Sequence, residues 1–450
     1  MGELFGTDGI RGEANRFPIT PEVALRVGKA VARTLGEIPG RPKRIVIGKD
    51  TRLSGYMLET ALTSGLVSMG MDVYLVGPVP TPAVAHLTRS MAACGGIMLT
   101  ASHNPFNDNG IKVFDRDGFK LRDEVEMQIE HLVFGNELRT DHLNSADIGK
   151  AQRVEDARGR YIEFAKNTIN NEGLEGVDIV LDCANGATYL IGPWIFRELG
   201  AEVVKTHVEP NGYNINEECG ATHAETVAAA VKERGADIGI AFDGDGDRVL
   251  FADSQGRVVD GDRILLTCAL DFKNRGLLRD DTLVVTSMSN LGLHDAAAKH
   301  GIHVEVTDVG DRYVIDRMRE KNYSLGGEKS GHLIFSDYAT TGDGIISALQ
   351  VLRLMKESGR TLAELVDVMQ EYPQKLVSVK VVEKPPLDEL AGVQNVAAQC
   401  RAALGEEGRL ILRYSGTEHK LRVLVEAKEA EAVERWTNAL VDAVKREIGA

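Results

Sequence analysis

Three aspartates alternate with glycine in Asp243-Gly-Asp-Gly-Asp247, directly after the apolar run 236–242. Three carboxylates with coordination space left over suit a hard divalent cation, Mg²⁺ before others, completed by a phosphate oxygen and water. A calcium EF-hand does not fit, because it needs Gly where Arg248 stands and Glu where Ser254 stands. A second stretch, Thr100-Ala-Ser-His-Asn-Pro105, follows the small apolar run 94–99, which reads as a buried strand. Ser102 therefore sits where a strand ends, the place where open α/β sheets bind ligands. A serine facing a divalent cation suits the carriage of a phosphoryl group, since a phosphoserine brings roughly −1.5 to −2 charges and three acceptor oxygens. The metal would neutralise that charge and make the phosphorus attackable. Ser102 thus joins Asp243, Asp245 and Asp247 as a metal contact.

Two more loops carry groups of the right kind. Arg413-Tyr-Ser-Gly-Thr417 with Arg422 combines the hydroxyls of Ser415 and Thr417, the flexible Gly416 and two guanidiniums. Forked arginines and backbone N–H groups grip phosphate well, although an ordinary turn between strands is the plainer alternative. Glu328, Ser330 and His332 place an acceptor, a donor and a titratable ring in one glycine-flanked loop, and the first two suit sugar hydroxyls. The glycine-punctuated loop 5–12 carries one cation, Arg11, and alone reads as a turn. Other phosphate and hydrolase chemistries are not written here. No serine lies in a G-x-S-x-G elbow, no G-x-G-x-x-G occurs, and the residues after each Gly-Lys pair are Ala30, Asp50 and Ala151, which rules out a Walker loop.

The elements that must position these loops recur. A strand at 44–48, a loop, a helix near 56–69 closed by Gly70 and a strand at 71–76 form one βαβ unit. The order repeats at 178–204 and again at 282–306. Each copy is followed by a further strand that runs into a polar, glycine-containing loop, holding Ser102, the aspartates and Glu328 in turn. Ahead of the first copy, Thr20 reads as an N-cap, Pro21 as the first helical position and Gly36 as the stop. After about residue 370 the pattern changes. Residues 371–375 read as a linker stiffened by Pro373, and strand-like runs at 376–382, 409–412 and 421–426 lead to an amphipathic helix bearing Val433, Trp436, Leu440, Val444 and Ile448. The expected architecture is three similar α/β domains with mixed sheets, over 1–153, 154–254 and 255–370, plus a smaller α+β domain over 371–450.

Bulk properties agree. A chain of 450 residues exceeds one core, and the composition, 43% hydrophobic and 26% charged, is that of a water-soluble globular protein. The formal charge of −15 argues against a nucleic-acid partner. No apolar run reaches membrane-spanning length, and the first residues, MGELFGTDG, show neither a signal peptide nor a myristoylation pattern. Cys94, Cys183, Cys219, Cys268 and Cys400 are odd in number and scattered, as expected of buried thiols in a reducing cytoplasm.

In their order along the chain, FGTDGIRG, TASHNP, NGIKVF, DGDGDR, GEKSGH and RYSGTEHKLRV resemble the signature loops of the α-D-phosphohexomutase superfamily. NINEECGATHAE, DVGDRYV and TTGDGI are similar to its glucosamine branch. The resemblance covers essentially the whole chain and implies four domains around a central cleft, each giving one loop. It implies Ser102 as the phosphoserine and Asp243, Asp245 and Asp247 as Mg²⁺ ligands. Arg11, His103, Lys112 and Arg248 would be the charged surroundings of the transferred phosphoryl group, with Lys112 and His332 as proton-transfer candidates. Glu328 and Ser330 would contact sugar hydroxyls, and Arg413, Ser415, Gly416, Thr417 and Arg422 would hold the distal phosphate. One departure is His419, which stands where proline usually follows the SGTE run. The implied reaction interconverts glucosamine 6-phosphate and glucosamine 1-phosphate through a 1,6-bisphosphate, that bisphosphate or another hexose bisphosphate acting as activator. It implies a cytoplasmic bacterial enzyme supplying amino-sugar nucleotides for the cell wall, and it allows a homodimer. A sister mutase acting on glucose or mannose phosphates, or a non-catalytic phosphosugar-binding protein, are the alternatives.

Overall fold

The computed structural model describes residues 4–6, 8–36, 42–135, 137–138, 143–415 and 419–449. They form two compact units, one of residues 1–288 with 302–367, the other of residues 289–301 with 368–450. The first unit holds three mixed sheets. The first sheet contains β1 (Ile10–Glu13), β2 (Arg44–Lys49), β3 (Asp72–Pro78), β4 (Gly95–Leu99), β5 (Asp108–Asp115) and β6 (Ala151–Arg153), ordered β1-β5-β4-β2-β3-β6. The second contains β7 (Asp178–Asp182), β8 (Glu202–Thr206), β9 (Ile238–Phe242), β10 (Val249–Asp253) and β11 (Val258–Val259), ordered β11-β10-β9-β7-β8. The third contains β12 (Thr282–Thr286), β13 (His303–Thr307), β14 (Leu325–Gly327) and β15 (Leu333–Phe335), ordered β13-β12-β14-β15.

One plan underlies all three. A buried strand pairs in parallel with two neighbours, as β2 does with β3 and β4, β7 with β8 and β9, and β12 with β13 and β14. The second of those neighbours then turns back into an antiparallel partner: β4 into β5, β9 into β10 and β14 into β15. The three loops singled out in the sequence are these three reversals. The outward chain is parallel and buried on both faces, so its residues are almost wholly apolar, whereas the reversal is where polar groups collect. The third reversal is short. Gly326 and Gly327 pair with Val284 and Val285 on one side and with Ile334 and Leu333 on the other, so the loop proper begins at Glu328.

Local signals set the helices. Thr20 Oγ1 accepts from Val23 N at 3.3 Å, Pro21 opens the helix Pro21–Leu35, and Gly36 closes it. A buried pair links two other helices. Tyr161 Oη lies 2.8 and 2.7 Å from the carboxylate oxygens of Asp343, which also accepts from Ile346 N as the N-cap of the helix Gly344–Ser358. Burial raises the Asp343 carboxyl from 3.8 to about 6. The folded protein therefore binds this proton more tightly than the unfolded chain. Its stabilising contribution is complete below pH 3.8 and is lost as pH rises through about 6. Asp343→Asn keeps a capping oxygen and is expected to flatten that part of the stability–pH curve, read from urea midpoints at pH 4.5 and 7.

The second unit is a three-stranded antiparallel sheet, β16 (Gln374–Lys380), β17 (Gly408–Tyr414) and β18 (Lys420–Ala427), with β18 central. Helices Ala391–Leu404 and Ala430–Ile448 complete its core through Val393, Ala397, Cys400, Leu440 and Val444. The first of these helices was not anticipated from the sequence. Residues 371–375, expected to be a linker, are built into this unit. Tyr372 is buried, its backbone N and O are both bonded by the Asn290 amide at 2.9 and 3.0 Å, and Pro373 O accepts from Ala427 N at 3.1 Å. The chain passes between units at 288–289, 301–302 and 367–368.

Candidate active site

Within the first unit the three reversals converge. Ser102 is buried, with its backbone in the left-handed region at φ 52°. Its Oγ donates to Asp243 Oδ2 at 2.7 Å, and its N donates to Thr100 Oγ1 at 2.9 Å. The oxygens of Asp243, Asp245 and Asp247 lie within 4.8 Å of one another, all buried. Such crowding raises the Asp243 carboxyl well above its ordinary range, burial contributing most and then Asp245 and Asp247. Asp247 moves the other way: burial alone would raise it, but Lys112, His332 and Arg248 together hold it well below.

Lys112, on β5, is 2% exposed and donates to Asp245 Oδ2 at 2.9 Å and Asp247 Oδ2 at 3.2 Å, with Asp8 Oδ2 at 3.4 Å. Burial would lower its pKa, yet these carboxylates raise it well above the usual value, so the ammonium is firmly charged. Asp8 binds Lys120 and Arg11 as well, and Lys120 also binds Asp311. Asp8, Lys120 and Asp311 were not picked out from the sequence. The signal for Asp8 was its place between two glycines in the loop already noted for Arg11.

His332 is 1% exposed, with Nδ1 3.6 Å from Asp247 Oδ1 and Nε2 3.5 Å from Asp311 Oδ2. Those carboxylates raise its pKa against the effect of burial. Gly342 N also donates to Nε2 at 3.0 Å, a bond that requires this nitrogen to be unprotonated. A Cβ at Gly342 would sit 2.5 Å from the ring, so glycine is what allows the backbone to approach. His103 is pushed down to about 4, by burial first and then by Arg248 and Arg11, and its Nδ1 is 3.4 Å from Ser102 Oγ. Its ring is neutral at neutral pH. Glu328 is buried and accepts from Gly310 N at 3.2 Å, while Ser330 is exposed with its Oγ 3.4 Å from Glu328 Oε2.

Orphaned atoms show what the arrangement lacks. Among the described residues, Asp245 Oδ1 and Asp247 Oδ1 are buried acceptors with no hydrogen-bond partner, and Arg11 Nε and Arg248 Nε are buried donors with none. Unsatisfied carboxylate oxygens fit a cation, and unsatisfied guanidinium N–H groups, on the two arginines that act on His103, fit an anion. A second cluster, Asp182, His207 and Cys219, offers a contrast. There Asp182 Oδ1 accepts from Ala184 N, and Oδ2 from Gly220 N and the His207 ring, each at 2.8–3.0 Å. Burial pushes the Cys219 thiol up to about 12. That cluster is a saturated anchor for its loop. The aspartate triad is unsatisfied.

Arg413, Ser415 and Arg422 belong to the second unit. Arg413 on β17 faces Arg422 on β18 directly across the ladder. Burial and the Arg422 charge lower the Arg413 pKa. Like charges in direct opposition destabilise a sheet unless an anion lies between them. Ser415 is buried, and its carbonyl accepts from Lys384 Nζ at 2.7 Å, a third cation. Gly416 and Thr417, expected in this grip, lie outside the described residues. His419 O accepts from Val381 N at 3.0 Å, so the backbone there is tied into the sheet without proline.

Comparison with known proteins places this arrangement. Four family models match in succession: phosphoglucomutase/phosphomannomutase alpha/beta/alpha domain I over 2–140, domain II over 159–256, domain III over 260–372, and the C-terminal domain over 376–443. The chain is 51% identical over 450 residues to the phosphoglucosamine mutase of Geobacter metallireducens, covering 100% of both. Among solved structures it is similar to a phosphoglucomutase/phosphomannomutase family protein from Burkholderia thailandensis, with a TM-score of 0.79, 23% identity, and 99% and 97% of the two chains covered. It is similar also to an Aspergillus fumigatus N-acetylphosphoglucosamine mutase solved with GlcNAc-6P and magnesium, with a TM-score of 0.71, 19% identity, and 99% and 96% covered.

Proposed function

Because this chain belongs to the phosphoglucosamine mutases of the phosphohexomutase superfamily, we propose that it interconverts glucosamine 6-phosphate and glucosamine 1-phosphate with Ser102 as the phosphoryl carrier. The observation that carries the assignment is Ser102 Oγ, 2.7 Å from Asp243, beside a histidine, His103, on which Arg248 and Arg11 act while each keeps a buried unsatisfied N–H. Phosphorylated Ser102 gives its phosphoryl group to the C1 hydroxyl of the 6-phosphate. The Oγ–P bond breaks, the O1–P bond forms, and a 1,6-bisphosphate results. After the bisphosphate turns around, Ser102 takes the 6-phosphoryl group and the 1-phosphate leaves. Arg11 and Arg248 orient the transferring oxygens and hold their charge. Lys112 is assigned to supply the proton of the departing oxygen, Ser102 Oγ in the first transfer and the sugar O6 in the second, which requires its raised pKa to come down when substrate is bound. His332 is suited to taking the attacking hydroxyl's proton, at the cost of its bond from Gly342. A divalent cation held by Asp243, Asp245 and Asp247, Mg²⁺ in this proposal, would neutralise phosphoryl charge.

Glu328 and Ser330 are assigned to ring hydroxyls. Arg413, Ser415 and Arg422, with Gly416 and Thr417, are assigned to the phosphate that is not being transferred. The opposed arginines carry a distinctive signature. Arg413→Gln should stabilise the ligand-free protein by about 0.5 kcal/mol, by relieving like-charge opposition. It should also raise KM for glucosamine 6-phosphate roughly tenfold to a hundredfold, through loss of a charge-assisted grip. A melting curve and a KM measurement together check it, and an unchanged KM would move the phosphate elsewhere.

The reading as a whole is tested by incubating purified protein with Mg²⁺, glucosamine 6-phosphate and a trace of glucose 1,6-bisphosphate. Glucosamine 1-phosphate should form, and intact mass should show one phosphoryl group on Ser102. Competing glucose and mannose 6-phosphates should be turned over more slowly. Preference for either would assign the chain to a sister activity, and no turnover of any would leave a binding protein.

A further inference from the structure

Behind Ser102, two side chains that no step of the chemistry uses converge on its backbone. Arg52 is 1% exposed and lies in the loop between β2 and the helix Ser54–Val67. Its Nε binds Asp50 Oδ2 at 2.8 Å, which fixes the guanidinium plane. The other two nitrogens reach four carbonyls of the serine loop: Nη2 donates to Ser102 O at 2.9 Å and Asn104 O at 2.8 Å, and Nη1 to Asp108 O at 3.0 Å and Pro105 O. Asn216 arrives from the loop region after β8, in the part of the chain that carries the aspartates. Its Nδ2 donates to the same Ser102 O at 2.9 Å and Asn104 O at 3.1 Å. Both lone pairs of the Ser102 carbonyl are thus taken. Gly244, between the first two aspartates, packs so close that a Cβ there would stand 2.6 Å from Ser102 O and 2.7 Å from Asn216 Nδ2.

The geometry points to Arg52 and Asn216 as positioning residues for phosphoryl transfer, together holding the carbonyl of Ser102 so that its Oγ is aimed at the aspartate loop. A serine at φ 52° is in a costly backbone conformation that must be over-determined by its surroundings to persist. A single fork making four carbonyl bonds is a job for arginine, since the lysine ammonium lacks that planar spread. Asn216 adds what Arg52 cannot: it ties the serine loop to the module that supplies the metal ligands. Neither residue touches the reacting atoms. Their loss should lower the rate of transfer without altering how substrate is gripped. The inference rests on Ser102 being the phosphoryl carrier.

Asn216→Gly deletes the amide yet suits its own backbone angle of φ 58°, so the fold is spared. In the Mg²⁺-loaded full chain, single-turnover transfer between glucose 1,6-bisphosphate and Ser102, measured by quench-flow, should slow about tenfold to a hundredfold. KM for glucosamine 6-phosphate should stay within roughly twofold, the pattern of a lost transition-state contribution. Mg²⁺ affinity of the dephosphorylated protein should not change, because the aspartates themselves are intact. Arg52→Lys should slow transfer in the same way and fail to rescue it, despite keeping the charge. Transfer at the wild-type rate, or a rate loss matched by a fall in the folded fraction, would overturn the inference. So would a rise in KM with transfer unchanged. Ser102→Ala, measured alongside, separates the two levels. If it keeps turning over, the carrier reading itself fails. If it is inactive while Asn216→Gly transfers normally, only the positioning role is lost.

Discussion

Ser102→Ala is expected to abolish isomerisation, by about 10⁴-fold or more, as when the nucleophile of a covalent mechanism is removed. The loss is chemical because the substitution takes away only Oγ. The Cβ remains, so the left-handed backbone at φ 52° is no more strained than before. The bonds from Arg52 and Asn216 go to the carbonyl and survive. What disappears is the 2.7 Å bond to Asp243, leaving one more buried carboxylate oxygen without a donor, a change of about 1 kcal/mol. Burial, and then Asp245 and Asp247, already raise the Asp243 carboxyl, and its neutral form needs the lost donor less. Melting temperature should therefore shift little while turnover vanishes. Incubation with glucose 1,6-bisphosphate should add no phosphoryl mass to the variant. Near-normal turnover with bisphosphate present would exclude Ser102 as the carrier.

The recurrence of strand, loop, helix, glycine and strand was legible because each step has a local cause. Buried parallel strands are apolar runs, and helices stop one to three residues before Gly36, Gly70, Gly200 and Gly301. The chemistry-bearing loops were legible because their residue types are conspicuous where a strand ends. Two kinds of feature were not. The helix Ala391–Leu404 buries Val393, Ala397, Cys400 and Leu404, a helical spacing made of small and mixed residues among polar ones, which gives weak contrast. Arg52, Asn216, Asp8 and Lys120 act through partners 50 to 114 or more positions away, and no local pattern announces such pairing. The linker reading failed for a related reason. Pro373 does stiffen the chain, but whether a stiff segment is free or packed depends on Asn290 and Ala427, which only the fold brings to it.

Chelation of divalent cations should lower turnover on the order of 10³-fold or more, the several kcal/mol of charge stabilisation that a metal supplies in phosphoryl chemistry. The aspartate cluster makes the prediction more specific than that. Three buried carboxylates within 4.8 Å repel one another, and in the metal-free protein that repulsion is met partly by Lys112 and partly by raising the Asp243 pKa. Burial first, and then Asp245 and Asp247, favour the neutral form of Asp243, so a proton and a cation compete for this carboxylate. Mg²⁺ affinity should therefore rise with pH until Asp243 is ionised and then level, the sign that follows from a raised carboxyl pKa. Binding to the folded state alone also stabilises it, by about 2.7 kcal/mol at a hundred times Kd, so the gain in melting temperature on adding Mg²⁺ should shrink as pH falls. Asp245→Asn removes one ligand charge and should weaken binding, with activity partly restored at higher Mg²⁺. Because Lys112 donates to Asp245 as well, this variant also frees the ammonium to pair more closely with Asp247. Recovery should accordingly be incomplete. Full activity in chelator, or a melting gain independent of pH, would show that the triad does not hold the working metal.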